Sequence, residues 1–122
     1  MISILTRVKV ADNCGARVAQ CIKLLGGSIP KRSLAGKKIM IVIKTADPQK
    51  KKIKIGTVLR ALIIRASAVF FRDYGVWIRF GDNAVILINK KNAPSSKRLR
   101  GPFLKEICLE YNLLGTVTRF VV

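Results

Sequence analysis

Apolar and polar residues alternate along much of the chain, with the two-residue period of β-strands. Val18, Ile22 and Leu24 interleave with Arg17, Ala19, Cys21 and Lys23, with Gln20 as a flaw, and Gly26-Gly27-Ser28 ends that strand. Before it, Asp12-Asn13-Cys14-Gly15-Ala16 reads as a tight turn, since Asx side chains bond nearby backbone and Gly accepts positive φ. Lys38 to Lys44 is β-branched and almost wholly apolar inside, as a buried strand would be. Asp47-Pro48 opens a loop that runs on through Gln49-Lys50-Lys51-Lys52, and Thr57 to Arg65 is the next strand. Val69-Phe70-Phe71 and Val76-Trp77-Ile78 flank Arg72-Asp73-Tyr74-Gly75, which predicts a hairpin with a four-residue loop. Ala84 to Asn89 closes the set.

The pattern then changes. Lys90 to Arg100 is polar, basic and interrupted by Pro94, hence a loop. After Gly101-Pro102 the period becomes helical: Phe103, Leu104, Ile107 and Tyr111 share a face, with Lys105, Glu106 and Glu110 off it. Pro102 is expected at the first helical position, where its missing N–H is harmless. The tail from Leu113 to Val122 is apolar apart from Arg119. Five or six short strands with tight turns predict an all-β fold with small α additions, a closed barrel or a sandwich, with the helix capping one end. No repeat or linker divides the chain. One domain is expected over 1–122: a barrel over about 1–90, a basic loop over 90–100 and a C-terminal helical part over 101–122.

Charge changes the picture most. Lys and Arg number 24 against six Asp and Glu, a net +18 on 122 residues. Self-repulsion at that level calls for a polyanion, because neutralised phosphates release condensed counterions. A merely solubilising surface mixes both signs and needs far less net charge. Membrane insertion is not expected: the apolar runs Ile39–Ile43 and Ala66–Phe71 are short and bracketed by cations. The start, Met1-Ile2-Ser3-Ile4-Leu5, lacks the parts of a signal peptide and is not Arg- and Ser-rich like a transit peptide.

Catalytic chemistry is scarce. There is no histidine, and the acids Asp12, Asp47, Asp73 and Asp82 lie far apart in sequence. Glu106 and Glu110 form a helical pair expected to be solvated. Cys14, Cys21 and Cys108 are odd in number and have no metal spacing, so they are expected as buried small hydrophobes of a reducing compartment, with no metal and no cofactor. Phe70, Phe71, Tyr74, Trp77 and Phe80 fall around the hairpin. They fit either a base-stacking platform or cross-strand packing, and packing is the expectation.

The cations concentrate in two loops, Lys50, Lys51, Lys52 and Lys54 in one and Lys90, Lys91, Lys97, Arg98 and Arg100 in the other. Others spread along strands at Arg7, Lys9, Arg17, Lys23, Lys44, Arg60, Arg65, Arg72 and Arg79. Taken singly, each is as well explained by solvation. Together they describe a folded body coated with phosphate contacts, which suits structured RNA. The candidate RNA-binding set is Lys9, Asn13, Arg17, Lys23, Lys44, Lys50, Lys51, Lys52, Lys54, Arg65, Arg72, Arg79, Lys90 and Lys91.

Val10-Ala11-Asp12-Asn13-Cys14-Gly15-Ala16, followed by Cys21-Ile22-Lys23-Leu24-Leu25-Gly26-Gly27-Ser28, resembles the start of the large-subunit ribosomal protein fourteen family. The family's middle signature is matched by Ala61-Leu62-Ile63-Ile64, Gly75, Phe80, Asn83 and Ile86-Leu87, and Gly101-Pro102 with the helix after it also matches. The resemblance runs in order along essentially the whole chain. Tyr74 departs from the family's Asp, Asn or Ser, Ile86 from its usual Val, and Gly115–Phe120 from its Ala-Pro-Glu ending.

The resemblance implies a five-stranded closed β-barrel with a β-hairpin extension and short C-terminal helices. It implies a structural, non-enzymatic constituent of the large ribosomal subunit, bound to large-subunit rRNA beside ribosomal proteins three and nineteen. It further implies an intersubunit bridge to small-subunit rRNA, assigned here to Lys97, Arg98 and Arg100, and a docking face for ribosome-silencing factors, where Lys97 replaces a common Thr. Divergence together with high Ile, Phe and Lys content suggests a mitochondrial ribosome, with bacterial cytoplasm or plastid stroma as the other locations. A free-standing single-stranded RNA-binding barrel, an RNA chaperone of cold-shock type, is the competing function class.

Overall fold

A computed structural model describes residues 2–26, 34–50, 52–111 and 120–122. Gly27 and Ser28 of the first predicted strand end, Lys51, and residues 112–119 of the tail lie outside them. Five strands close a barrel in the order β1 (Arg7–Val10), β2 (Ala16–Leu24), β3 (Lys38–Ala46), β4 (Val58–Arg65) and β7 (Ala84–Leu87). All neighbours are antiparallel except β1 and β7, which pair in parallel and complete the ring. Closure leaves none of these strands with an open edge. Strand β1 had no counterpart in the hydropathy reading, because Arg7-Val8-Lys9-Val10 spans only two alternations.

Two cores explain the two kinds of apolar pattern. In β3, Ile39, Ile41 and Ile43 fill the barrel while Met40 and Val42 are only half-buried. Strand β7 and the part of β4 from Ala61 onward are instead buried on both faces. Their Ala61, Ile63, Val85 and Leu87 point into the barrel, and Leu62, Ile64, Ala84 and Ile86 form an outer layer with Leu99, Phe103, Leu104, Ile107 and Cys108. A strand covered twice needs a continuous apolar run, which is what Ala61-Leu62-Ile63-Ile64 supplies. Each large aliphatic so buried contributes about 1.5–3 kcal/mol.

The cover is the C-terminal part. Helix α1 spans Lys105–Glu110, with Leu104 as its N-cap and no side-chain cap bond. Six residues are too few to hold a helix unaided, so the burial of Ile107 and Cys108 on the outer layer stabilises it. Pro102 does not open this helix, contrary to expectation. Pro102–Phe103 is β8, pairing in parallel with β9 (Phe120–Val121). A short strand at a sheet edge also tolerates proline, and the extended backbone lets both Phe103 and Leu104 reach full burial.

The predicted hairpin is β5 (Phe70–Phe71) and β6 (Trp77–Ile78). Its loop closes as foreseen: the Arg72 N–H donates to the Val76 carbonyl at 2.9 Å, and the Gly75 N–H to the Arg72 carbonyl at 3.1 Å. Gly75 takes φ +82°, so Tyr74 can precede it without an Asx residue. The packing expectation holds for Phe70 and Phe80, which lie against the outer core, and in part for Phe71 and Trp77, which pair across the hairpin but stay exposed, as does Tyr74. Phe71, Tyr74 and Trp77 are 64%, 73% and 71% exposed, and Phe71 meets Trp77 edge-on at 5.2 Å. Alternation is the reason: when Phe70 and Ile78 face the core, their neighbours Phe71 and Trp77 must face away.

Candidate nucleic-acid interface

Three sequence-distant segments meet at one end of the barrel. The first is the turn after β1, organised by Asp12, which is buried. Its Oδ1 accepts the Cys14 N–H at 3.2 Å, as an Asx turn should, and its Oδ2 accepts the Leu87 N–H at 3.0 Å from the barrel's last strand. The second is the loop after β3, tied down where the Asp47 N–H donates to the Gly15 carbonyl at 2.7 Å. The third is the end of the 90–100 loop, where the Arg100 N–H donates to the Ala11 carbonyl at 2.7 Å and Leu99 bridges to Asp12.

Between them lies a cavity of about 390 Å³ whose lining includes Lys9, Arg17, Lys50 and Arg100, with Asp12 and Asp47. Gly15 makes the closure feasible. Its φ is +101°, and a Cβ there would stand 2.8 Å from the Lys50 Cβ, so only glycine lets the second loop cross this closely. Lys50 in turn donates its ammonium to Asn13 Oδ1. Arg17 faces Asp47 and Lys9 faces Asp82, both at 3.6 Å, with the two cations about two-thirds exposed. Exposed pairs of this kind hold their partners by at most about 1 kcal/mol, so both cations remain available to a polyanion.

The other candidates sort by exposure. Lys23, Lys44, Lys52, Lys54, Lys90, Lys91, Lys97 and Arg98 are exposed, as is Arg79, whose Nε donates to the Ser67 carbonyl at 2.9 Å. Arg65 stands apart at 9% exposure. Its Nη1 donates to the Arg100 carbonyl at 3.2 Å and its Nη2 to Asp82 at 3.5 Å, while Nε lies 3.2 Å from the same carboxylate, out of line for a hydrogen bond. It props the loop that carries Arg98 and Arg100. Arg72 is likewise engaged, gripping Glu106 with Nε at 2.6 Å and Nη2 at 3.2 Å and reaching the Val122 carbonyl and the Tyr74 hydroxyl. Glu106 is exposed, as expected, and is also the anchor that joins hairpin to helix. Burial pushes its carboxyl up, but hydrogen bonds from Arg72 and from its own backbone, with the nearby charges of Arg72 and Lys105, together outweigh that for a net lowering. Lys51 lies outside the described residues.

Among the described residues, nothing at this end resembles a catalytic constellation. The three cysteines are buried and free. Burial, and then the neighbouring Asp12, push the Cys14 thiol up to about 12, and burial raises Cys21 and Cys108 as well, so none is a thiolate near neutrality. Among the described residues no group of His, Cys, Asp or Glu could hold a metal ion, and no helix is long and apolar enough to cross a membrane.

Hydropathy and charge found the cations but not what positions them. Asp12 was legible as a turn residue, yet its bond to Leu87 joins positions 75 apart. Asp82 carried no signal at all. The model of one protein family, described as ribosomal protein L14p/L23e, matches the chain over residues 1–120.

Proposed function

Because this chain belongs to the ribosomal protein L14p/L23e family, and so is a structural constituent of the large ribosomal subunit, we propose that it grips large-subunit rRNA mainly through phosphate contacts at the cavity end of its barrel. The observation that carries this reading is the convergence of Lys9, Arg17, Lys50 and Arg100, from three segments, on one concave surface of a +18 chain. Lys23, Lys44, Lys52, Lys54, Arg79, Lys90 and Lys91 extend the contact outward, and Asn13 acts by holding Lys50. Residues 1–122 function as one unit, the C-terminal part serving as cover for β4 and β7.

In this reading the exposed Lys97 and Arg98, with Arg100, reach phosphates of the small subunit and form a bridge. Ribosomal proteins three and nineteen are its protein neighbours, and a ribosome-silencing factor is a further one. The location is the ribosome of the mitochondrial matrix. A basic loop anchored by Arg65 on a rigid barrel is suited to contacts beyond the protein's own site.

The exposed Phe71, Tyr74 and Trp77 favour one other reading, a free-standing barrel that stacks single-stranded bases. Salt dependence tests the first reading. Affinity for large-subunit rRNA should fall linearly on a log–log plot against salt, by about 0.7–0.9 units per phosphate neutralised. Replacing Lys9, Arg17 and Arg100 with Ala should flatten that slope, and a salt-insensitive affinity would contradict the proposal.

A further inference from the structure

We propose that the cavity beside Gly15 receives one unpaired nucleotide of the bound RNA, with its phosphate on the cations and the donor edge of its base on Asp47. This rests on the rRNA-binding reading and adds a defined subsite to it.

Diffuse phosphate contacts need only exposed cations, which this surface has in abundance. They do not need a concavity of about 390 Å³, a volume within the roughly 300–1,000 Å³ of small-ligand sites. Nor do they explain the carboxylates. A pocket for phosphate alone is weakened by every acid it contains, yet Asp12 and Asp47 line this one together with Lys9, Arg17, Lys50 and Arg100.

Asp47 is not used up by the protein. Its Oδ1 accepts the Gln49 N–H at 3.0 Å while Oδ2 faces Arg17 at 3.6 Å, whereas the buried Asp12 spends its oxygens on backbone N–H groups. An ionised carboxylate offers about four acceptor sites, so acceptors remain on Asp47. Cations for a phosphate beside acceptors for amino and ring N–H groups are what a nucleotide requires and a bare phosphodiester does not. Splayed-out RNA bases are read by hydrogen bonds on their edges. Among the described residues no aromatic lines the cavity. Val10, Ala16 and the stem of Lys50 supply its apolar wall, so edge recognition and not stacking would hold the base. Guanine, with adjacent N1–H and 2-amino donors, fits a carboxylate best, and uracil, with one N–H and no amino group, fits worst.

The test uses the full chain and follows amide shifts of Gly15, Ala16 and Arg17 by NMR during titration with GMP, UMP and inorganic phosphate. GMP should bind more tightly than UMP or phosphate by roughly tenfold or more, the discrimination of one good two-point base contact. Asp47→Asn keeps an acceptor for the Gln49 N–H and should fold normally while abolishing the preference for GMP. Arg17→Gln should weaken all three ligands alike. Equal affinities for the three ligands would overturn the proposal, reducing the cavity to a phosphate site, and so would the absence of saturable shifts there. If the wild-type chain still binds large-subunit rRNA in that case, only this inference falls. If it binds no rRNA, the functional reading falls with it.

Discussion

At the scale of single residues, the basic surface depends on the buried and half-buried groups beneath it. Gly101 shows this most sharply. It has φ +85°, and a Cβ there would lie 1.8 Å from Arg65 Nη1. Gly101→Ala should therefore destabilise the fold by about 1–2 kcal/mol through the left-handed backbone alone, and by more if Arg65 cannot move aside. Urea unfolding would measure the loss, and an unchanged midpoint would show that neither the Gly101 backbone nor Arg65 is held as the structure has them. Asp12→Asn is a second case. One of its two backbone N–H partners would face an amide donor, which costs about 1–3 kcal/mol for a buried group left unsatisfied. Its expected signature is faster hydrogen exchange at the Leu87 or the Cys14 amide. Neither partnership could be read along the chain, because Asp12 meets Leu87 and Arg65 meets Arg100 only once the barrel closes.

Between elements, the hairpin and the helix are joined by Arg72 and Glu106. The folded carboxyl lies below its ordinary value. Its contribution is therefore complete above that ordinary value and is lost as pH falls through the lowered one. Trp77 is the chain's one tryptophan and sits on the hairpin, so its fluorescence should report undocking in acid. Glu106→Gln should remove that acid transition, and a variant with the same pH profile as wild type would show that another group controls the docking. What was legible at this scale follows from length and sidedness. Strands β2, β3, β4 and β7 and the hairpin announced themselves, since each carries a long enough apolar pattern or a clear turn. The four-residue β1 and the two-residue β8 and β9 did not. Pro102 misled because proline suits both a helix start and an edge strand, and only the partner strand decides between them.

For the whole molecule, a closed barrel presents cations on a rigid frame. The loop carrying Lys97, Arg98 and Arg100 is held at its base by Asp12, Ala11 and Arg65. Changing these three cations to Ala should spare large-subunit assembly and weaken subunit joining, most visibly at low magnesium. Failure of large subunits to assemble would assign the loop to the home subunit's RNA instead. The charge that marks the partner class was visible in composition, whereas the cavity that gathers Lys9, Arg17, Lys50 and Arg100 required the fold.

Sedimentation of cell or organelle extracts through a moderate-salt sucrose gradient will show whether the chain works as a fixed part of the large subunit. The chain should co-migrate with large subunits and with joined ribosomes. Its recovery in the light fractions, while other large-subunit proteins remain with the particle, would rule out a fixed ribosomal place and favour a free-standing RNA-binding barrel.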